Sequence, residues 1–246
     1  MRILGIIPAR YASQRFPGKP LIDIDGKTMI RRVYEQAKKA GSLSEVIVAT
    51  DDERISKHVQ EFGGKALMTS SSHRTGTDRC AEVAGKQLDK YDVIINIQGD
   101  EPFINPDQIN VLAACFNTNK IAIATLAKRI SETEDLFNPN VPKVILDHKG
   151  EALYFSRHPI PYLRGAEEKH WVEQHTYFRH IGIYAFRTST LMELTTLQPH
   201  PLEVAESLEQ LRWLGNGYSI QVALTDHESF SVDVPEDLDK LNKKTS

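Results

Sequence analysis

The stretch PARYASQRFPGKPL, Pro8 to Leu21, gathers Arg10, Arg15 and Lys19 with no acid among them; the first carboxylate of the chain is Asp23. Two acidic segments lie far away in sequence. QGDEP (Gln98 to Pro102) turns at Gly99 and presents Asp100 and Glu101, and SVDVPED carries Asp233. A nucleoside triphosphate calls for both kinds of group: cations against its phosphate oxygens, and a divalent metal shared between phosphates and one or two carboxylates. Arg10 and Lys19 are candidates for the first task. Asp100 and Asp233 are candidates for the second. Singly, Asp100 reads as a turn carboxylate and Asp233 as a helix cap; their joint position after strand-like runs favours chemistry. HRTGTDR (His73 to Arg79) sets Gly76 between two threonines at a helix entry, where N–H groups and hydroxyls suit a base edge or an anion. An ordinary entry capped by Thr77 or Asp78 fits the same residues.

Other chemistries find less support. The sequence has no GxxxxGK[ST], GxGxxG or GxSxG motif. DID (Asp23 to Asp25) imitates a metal-binding DxD but runs into Gly26, as a turn between short strands does. His170, His175 and His180 are spaced by five, which gathers them on neither a helix face nor a strand face, so zinc is not expected. Cys80 lies on a helical pattern and reads as core.

These groups need a scaffold, and the pattern of the chain specifies one. Short β-branched runs, ILGII, EVIVAT, DVIINI and IAIATLA, are too short for helices and read as buried strands. Amphipathic segments of helix length separate them: TMIRRVYEQAKKAG, DERISKHVQEFG, TDRCAEVAGKQL and NPDQINVLAACFN. Such alternation predicts a mostly parallel, helix-flanked sheet of Rossmann-like type, whose ligands bind beyond the carboxyl ends of the strands. After Asn138 the pattern changes. KVILDHKGEALYFSR reads as a hairpin around Asp147 to Gly150, and YFRHIGIYAFR as a further strand. PLEVAESLEQLRWLGNG predicts one long helix, SIQVALT a strand, and VPEDLDKLNKK a final helix. The expectation is one α/β domain over residues 1–246 with an antiparallel insertion at about 140–190.

Bulk composition sets limits on function. The 246 residues, 40% apolar and 26% charged, suffice for a large core and exclude disorder as the main theme. A net charge of -3 argues against sequence-independent nucleic-acid binding, which needs a broad basic face. Two distant cysteines predict a reducing, cytoplasmic setting, and no segment reads as a signal peptide or membrane span.

In order and spacing, PARYASQRFPGKPL, HRTGTDR, QGDEPFI, ALYFSR, RHIGIYAFR, LEQLRWL and VDVPEDL resemble the 3-deoxy-manno-octulosonate cytidylyltransferases, over essentially the whole chain. The opening loop alone indicates only the wider group of nucleotidyltransferases acting on acidic sugars; ALYFSR, RHIGIY and LEQLR narrow it. The resemblance implies that CTP and 3-deoxy-D-manno-octulosonate (KDO) give CMP-KDO and pyrophosphate with Mg2+, activating the sugar for lipopolysaccharide synthesis. It places Ala9, Arg10, Ser13, Arg15 and Lys19 at the nucleotide, with Arg74, Thr75, Gly76, Arg79 and Gln98 bordering the cytidine. Gln98, Arg157, His180, Tyr184, Glu209 and Gln210 would line the sugar pocket, and Asp100 and Asp233 would bind magnesium. Where the family usually has HPSGT, this chain has HRTGT. The antiparallel insertion resembles the family's dimerisation region, so a homodimer is expected. An 8-amino analogue of KDO or a sialic acid remains open as the acceptor. A non-catalytic nucleotide-binding module is the alternative from another class; Lys19, Asp100 and Asp233 together argue against it.

Overall fold

The computed structural model describes residues 1–12, 16–87, 90–228, 230–232 and 234–238. β1 (Ile3–Ala9) is followed by a small hairpin of β2 (Asp23–Ile24) and β3 (Lys27–Thr28). Its turn residues Asp25 and Gly26 have φ of 48° and 76°, and the Gly26 N–H donates to Asp23 Oδ1 at 2.9 Å. The DID segment is thus spent on a turn.

Alternation then proceeds through α1 (Met29–Ala37), β4 (Glu45–Thr50), α2 (Glu53–Glu61), β5 (Ala66–Met68), α3 (Gly76–Gly85), β6 (Val93–Asn96), α4 (Pro106–Ala114), β7 (Ile123–Arg129) and α5 (Thr133–Phe137). The hairpin of β8 (Lys143–Leu146) and β9 (Ala152–Ser156) follows, then α6 (Trp171–Gln174), β10 (Phe178–Arg187), α7 (Thr188–Leu194), α8 (Pro201–Glu206), α9 (Gln210–Gly215) and β11 (Gln221–Leu224).

Among the described residues the main sheet has nine strands, in the order β11-β7-β10-β6-β1-β4-β5, with β8 on β10 and β9 on β8. β1 lies parallel to both β4 and β6. Because the chain winds outward from β1 through β4 to β5 and then returns to β1's other side as β6, the direction of winding reverses beside β1. That reversal opens a crevice at the carboxyl ends of β1 and β6, where PARYASQRFPGKPL and QGDEP begin.

The antiparallel section is more than an appendage. β10 runs antiparallel between β6 and β7, in the middle of the sheet. Its sequence permits this, since Ile183 and Ala185 enter one core while Tyr184 and Phe186 enter the other; a strand buried on both faces must be apolar on both. The two cores sandwich the sheet, one containing Ile7, Val33, Val48 and Ile109, the other Leu4, Cys80, Leu191 and Trp213. Cys80 is fully buried, and burial raises its thiol pKa.

One expectation needs correction. The long helix over PLEVAESLEQLRWLGNG is two short ones, α8 and α9, broken at Ser207, whose φ of 51° is left-handed. A continuous helix would keep the carbonyls of Glu206 and Ser207 for its own N–H groups. Here Arg157 takes them, through Nε at 2.6 Å and a terminal nitrogen at 3.2 Å. The expected final helix begins within the described residues, at Asp237 and Leu238, where the Leu238 N–H donates to the Pro235 carbonyl; the rest of its expected span lies outside them.

Candidate active site

The loop after β6 packs against the main chain at the end of β1. A Cβ on Gly99 would lie 2.5 Å from the Pro8 carbonyl oxygen, so only glycine lets QGDEP rest on the end of β1. This packing brings the basic loop to the acidic one. Lys19, at the start of a 3₁₀ turn (Lys19–Leu21) preceded by Gly18 with φ of 73°, donates from Nζ to Asp100 Oδ2 at 2.9 Å. Of the two acids here, Asp100 remains partly accessible at 31% while Glu101 is buried. The Val232 N–H donates to the Asp100 carbonyl at 2.9 Å. Asp233 itself lies outside the described residues, as do Ser13 and Arg15.

Ala9 is the last residue of β1, and exposed Arg10 reaches the His73 carbonyl at 3.5 Å, joining the basic loop to HRTGTDR. His73 is held from the other side by Glu82, whose carboxylate also accepts the Ser70 N–H and pairs with Lys86. Burial alone would raise the pKa of Glu82; Lys86, the Ser70 N–H and His73 overcome it and bring it down to about 2. The cap of α3 is Thr75, reciprocally bonded with Asp78, so neither Thr77 nor Asp78 fills that place. Thr77 is instead buried and donates to Glu209 Oε2 at 2.9 Å. Arg74 is exposed. Arg79 is buried and donates to the Thr69 hydroxyl and the Asp51 carboxylate, tying the ends of β4 and β5 to α3. These bonds make it a brace between α3 and the ends of β4 and β5.

Farther along the crevice, Gln98 Nε2 donates to the Gly182 carbonyl at 2.7 Å, where the register of β10 against β7 slips between Ile181 and Tyr184. The Thr125 hydroxyl lies within hydrogen-bond reach of the Ile181 and Ile183 carbonyls and of His180 Nε2 at 3.0 Å. The slip leaves the rings of His180 and Tyr184 adjacent, with centroids 5.3 Å apart. Burial lowers the His180 pKa to about 3, so this imidazole is neutral near pH 7. It is thereby a neutral hydrogen-bonding group. His170 meets Glu173 and His175 packs on Tyr177, well apart in role from His180.

The break at Ser207 now acquires a purpose. It starts α9 anew so that Glu209 meets Thr77 and Gln210 is buried, while Trp213 packs edge-on against Tyr184. Burial raises the Glu209 pKa against the opposing pull of Thr77 and Thr75. The Tyr184 pKa is raised too, by burial and then by Glu209. Arg157 is directed at main chain: besides Glu206 and Ser207 it donates to the Pro139 carbonyl at 2.9 Å. It supports the turn that presents Glu209.

Asn96 Oδ1, Tyr184 OH and Gln210 Nε2 are buried side-chain atoms with no hydrogen-bond partner among the described residues. The Tyr184 hydroxyl lies near Thr125 but makes no well-directed bond to it. Buried polar atoms are normally paired, and leaving them so costs stability. Asn96 escapes sequence reasoning; the only signal was a polar residue near the end of an otherwise apolar strand. Taken together, the crevice offers cations and a carboxylate at one end and a closed set of neutral polar groups at the other.

Residues 4–222 match the family model described as cytidylyltransferase. A 3-deoxy-manno-octulosonate cytidylyltransferase of Parabacteroides distasonis is 55% identical over 98% of this chain and 96% of its own. One from Cytophaga hutchinsonii is 54% identical over 99% of this chain and 98% of its own. Among solved structures, a CMP:2-keto-3-deoxy-manno-octonic acid synthetase complexed with CTP superposes with a TM-score of 0.91 at 42% identity, covering 100% of this chain and 98% of that one.

Proposed function

The chain belongs to the 3-deoxy-manno-octulosonate cytidylyltransferases, and on that footing we propose that it transfers the cytidylyl group of CTP to KDO and releases pyrophosphate. The observation that carries the reading is the pairing of Lys19 with Asp100 at the mouth of the crevice, beside a pocket of buried, partnerless polar groups. The first suits a triphosphate. The second suits a polyhydroxylated acceptor.

The anomeric hydroxyl oxygen of the sugar attacks the α-phosphorus, the bond to the β-phosphate oxygen breaks, pyrophosphate leaves and the hydroxyl proton passes to solvent. No protein nucleophile is needed, so the work of the chain is positioning and charge stabilisation. Lys19 and Arg10 offset negative charge that builds on the α-phosphate and the leaving group. HRTGTDR, braced by Arg79 and Glu82, borders the cytidine. Gln98, His180, Tyr184, Glu209 and Gln210 hold the sugar, and Arg157, bonded to the Glu206, Ser207 and Pro139 carbonyls, fixes the turn beside it.

Mg2+ fits the residues present, because Asp100 offers a hard, partly accessible carboxylate at the phosphate end. Asp100 and Asp233 would hold the ion. When bound, it supplies positive charge to the phosphate oxygens and favours ionisation of the attacking hydroxyl.

The exposed Leu153 on β9 and Tyr162 support pairing of two copies through residues 140–190. Among the described residues no helix is long and apolar enough to cross a membrane, and a cytoplasmic enzyme that prepares the sugar for lipopolysaccharide synthesis fits its use of CTP. The test is pyrophosphate release from CTP and Mg2+ with KDO, its 8-amino analogue and a sialic acid in parallel. Fastest release with KDO is expected; faster release with either rival would reassign the acceptor.

A further inference from the structure

We propose that Asn96 is a further specificity-determining residue, whose carboxamide reads a hydroxyl of the acidic sugar from the floor of the crevice; this rests on the acceptor being a polyhydroxylated acid. Asn96 ends β6, is 4% exposed, and lies on the face that Ile94 shares with α3. One of its neighbours is the nucleotide-side loop, since a Cβ on Gly76 would come within 3.4 Å of its Nδ2. Across the sheet its register partner is Tyr184. Its Oδ1 is buried with no hydrogen-bond partner among the described residues, a condition it shares with Tyr184 OH and Gln210 Nε2.

The chemistry of these unpaired atoms identifies what would satisfy them. Asn96 Oδ1 only accepts, Gln210 Nε2 only donates, and a tyrosine hydroxyl does both. Glu209, linked to α3 through Thr77, has its carboxyl pKa raised by burial. A hydroxyl can donate to the first and accept from the second, so a ring carrying several hydroxyls satisfies such a set where an apolar or purely anionic group would not. An apolar residue at the end of β6 would have packed against Tyr184 without the cost of a buried, unpaired oxygen. The asparagine is therefore matched to a ligand, and its place opposite Tyr184 puts it on the sugar side of the loop that borders the nucleotide.

Asn96→Ala should raise the Michaelis constant for the sugar roughly ten- to hundred-fold and leave calorimetric CTP affinity within about two-fold, as expected when one side of a buried hydrogen bond is lost. A merely structural asparagine could not pass the second arm. Among monodeoxy analogues of the sugar, one should lose about ten-fold on the wild-type protein and nothing on Asn96→Ala or on Asn96→Ser, which keeps a small polar group. The proposal is overturned if the sugar constant is unchanged, if CTP affinity falls as much as sugar affinity, or if every analogue is penalised equally on wild type and variants. The comparison uses whichever sugar acid the wild-type protein turns over, so a wrong acceptor assignment appears in the wild-type rates alone.

Discussion

Lys19 Nζ donates to Asp100 Oδ2 at 2.9 Å, a contact spanning 81 positions of sequence and joining the loop after β1 to the loop after β6. The lysine side chain is 12% exposed, so it is held at the crevice by fold and partner together. A group fixed before the substrate arrives stabilises developing charge without reorganising.

Lys19→Ala is expected to lower kcat by roughly 10²–10³, the scale of removing one preorganised charge-stabilising group. CTP binding should weaken much less, because Arg10 and main-chain N–H groups still attract the ground-state triphosphate. Single-turnover rates beside calorimetric titration with CTP separate the two effects. A normal single-turnover rate would leave the loop with a docking role only.

Gly99→Ala should disable the enzyme while leaving most of the sheet intact. The added methyl would meet the Pro8 carbonyl at 2.5 Å, and main chain on both sides must shift to relieve it. Since Asp100 follows directly, a displacement of about 1 Å is expected to cost roughly 10² in turnover. Far-ultraviolet circular dichroism should keep its shape. Full activity in a folded variant would mean that the two loops need no such contact.

Lys143 gives a pH signature. It is fully buried and donates from Nζ to the Asn138 carbonyl at 2.9 Å. Burial and then the nearby Arg157 lower its pKa from 10.5 to about 8, with Glu206 and Asp135 opposing. The unfolded chain thus binds this proton below 10.5 and the folded chain only below about 8. Lys143 therefore adds stability as pH rises through that window, a gain lost as pH falls through about 8. Lys143→Met should lack this rise, and urea unfolding of both proteins at intervals from pH 7 to about 10.5 measures it. Stability curves that stay parallel across the window would contradict the buried ammonium.

The sheet was legible because its strands are buried on both faces and so appear as unbroken β-branched runs such as EVIVAT and DVIINI. The meeting of the Lys19 and Asp100 loops was legible for a related reason, as loops that follow such strands collect at one edge. The break at Ser207 was hidden because its cause is Arg157, 50 positions earlier, and the amphipathic pattern of PLEVAESLEQLRWL runs straight through it. The destination of Arg79 was equally hidden: only the fold brings Asp51 and Thr69 around its guanidinium. Asn96 and Lys143 are single polar residues in strand-like runs, and no spacing rule reveals whether such a residue is buried or paired.

The central claim is that a sugar hydroxyl attacks the α-phosphorus of CTP at the Lys19–Asp100 crevice. The direct measurement is oxygen tracing: KDO labelled with 18O at the anomeric hydroxyl, incubated with CTP, Mg2+ and the protein, followed by mass spectrometry of both products. The label should appear in CMP-KDO, as the oxygen bridging sugar and phosphorus, with unlabelled pyrophosphate formed in equal amount. Labelled pyrophosphate, or free CMP formed without any sugar nucleotide, would contradict it.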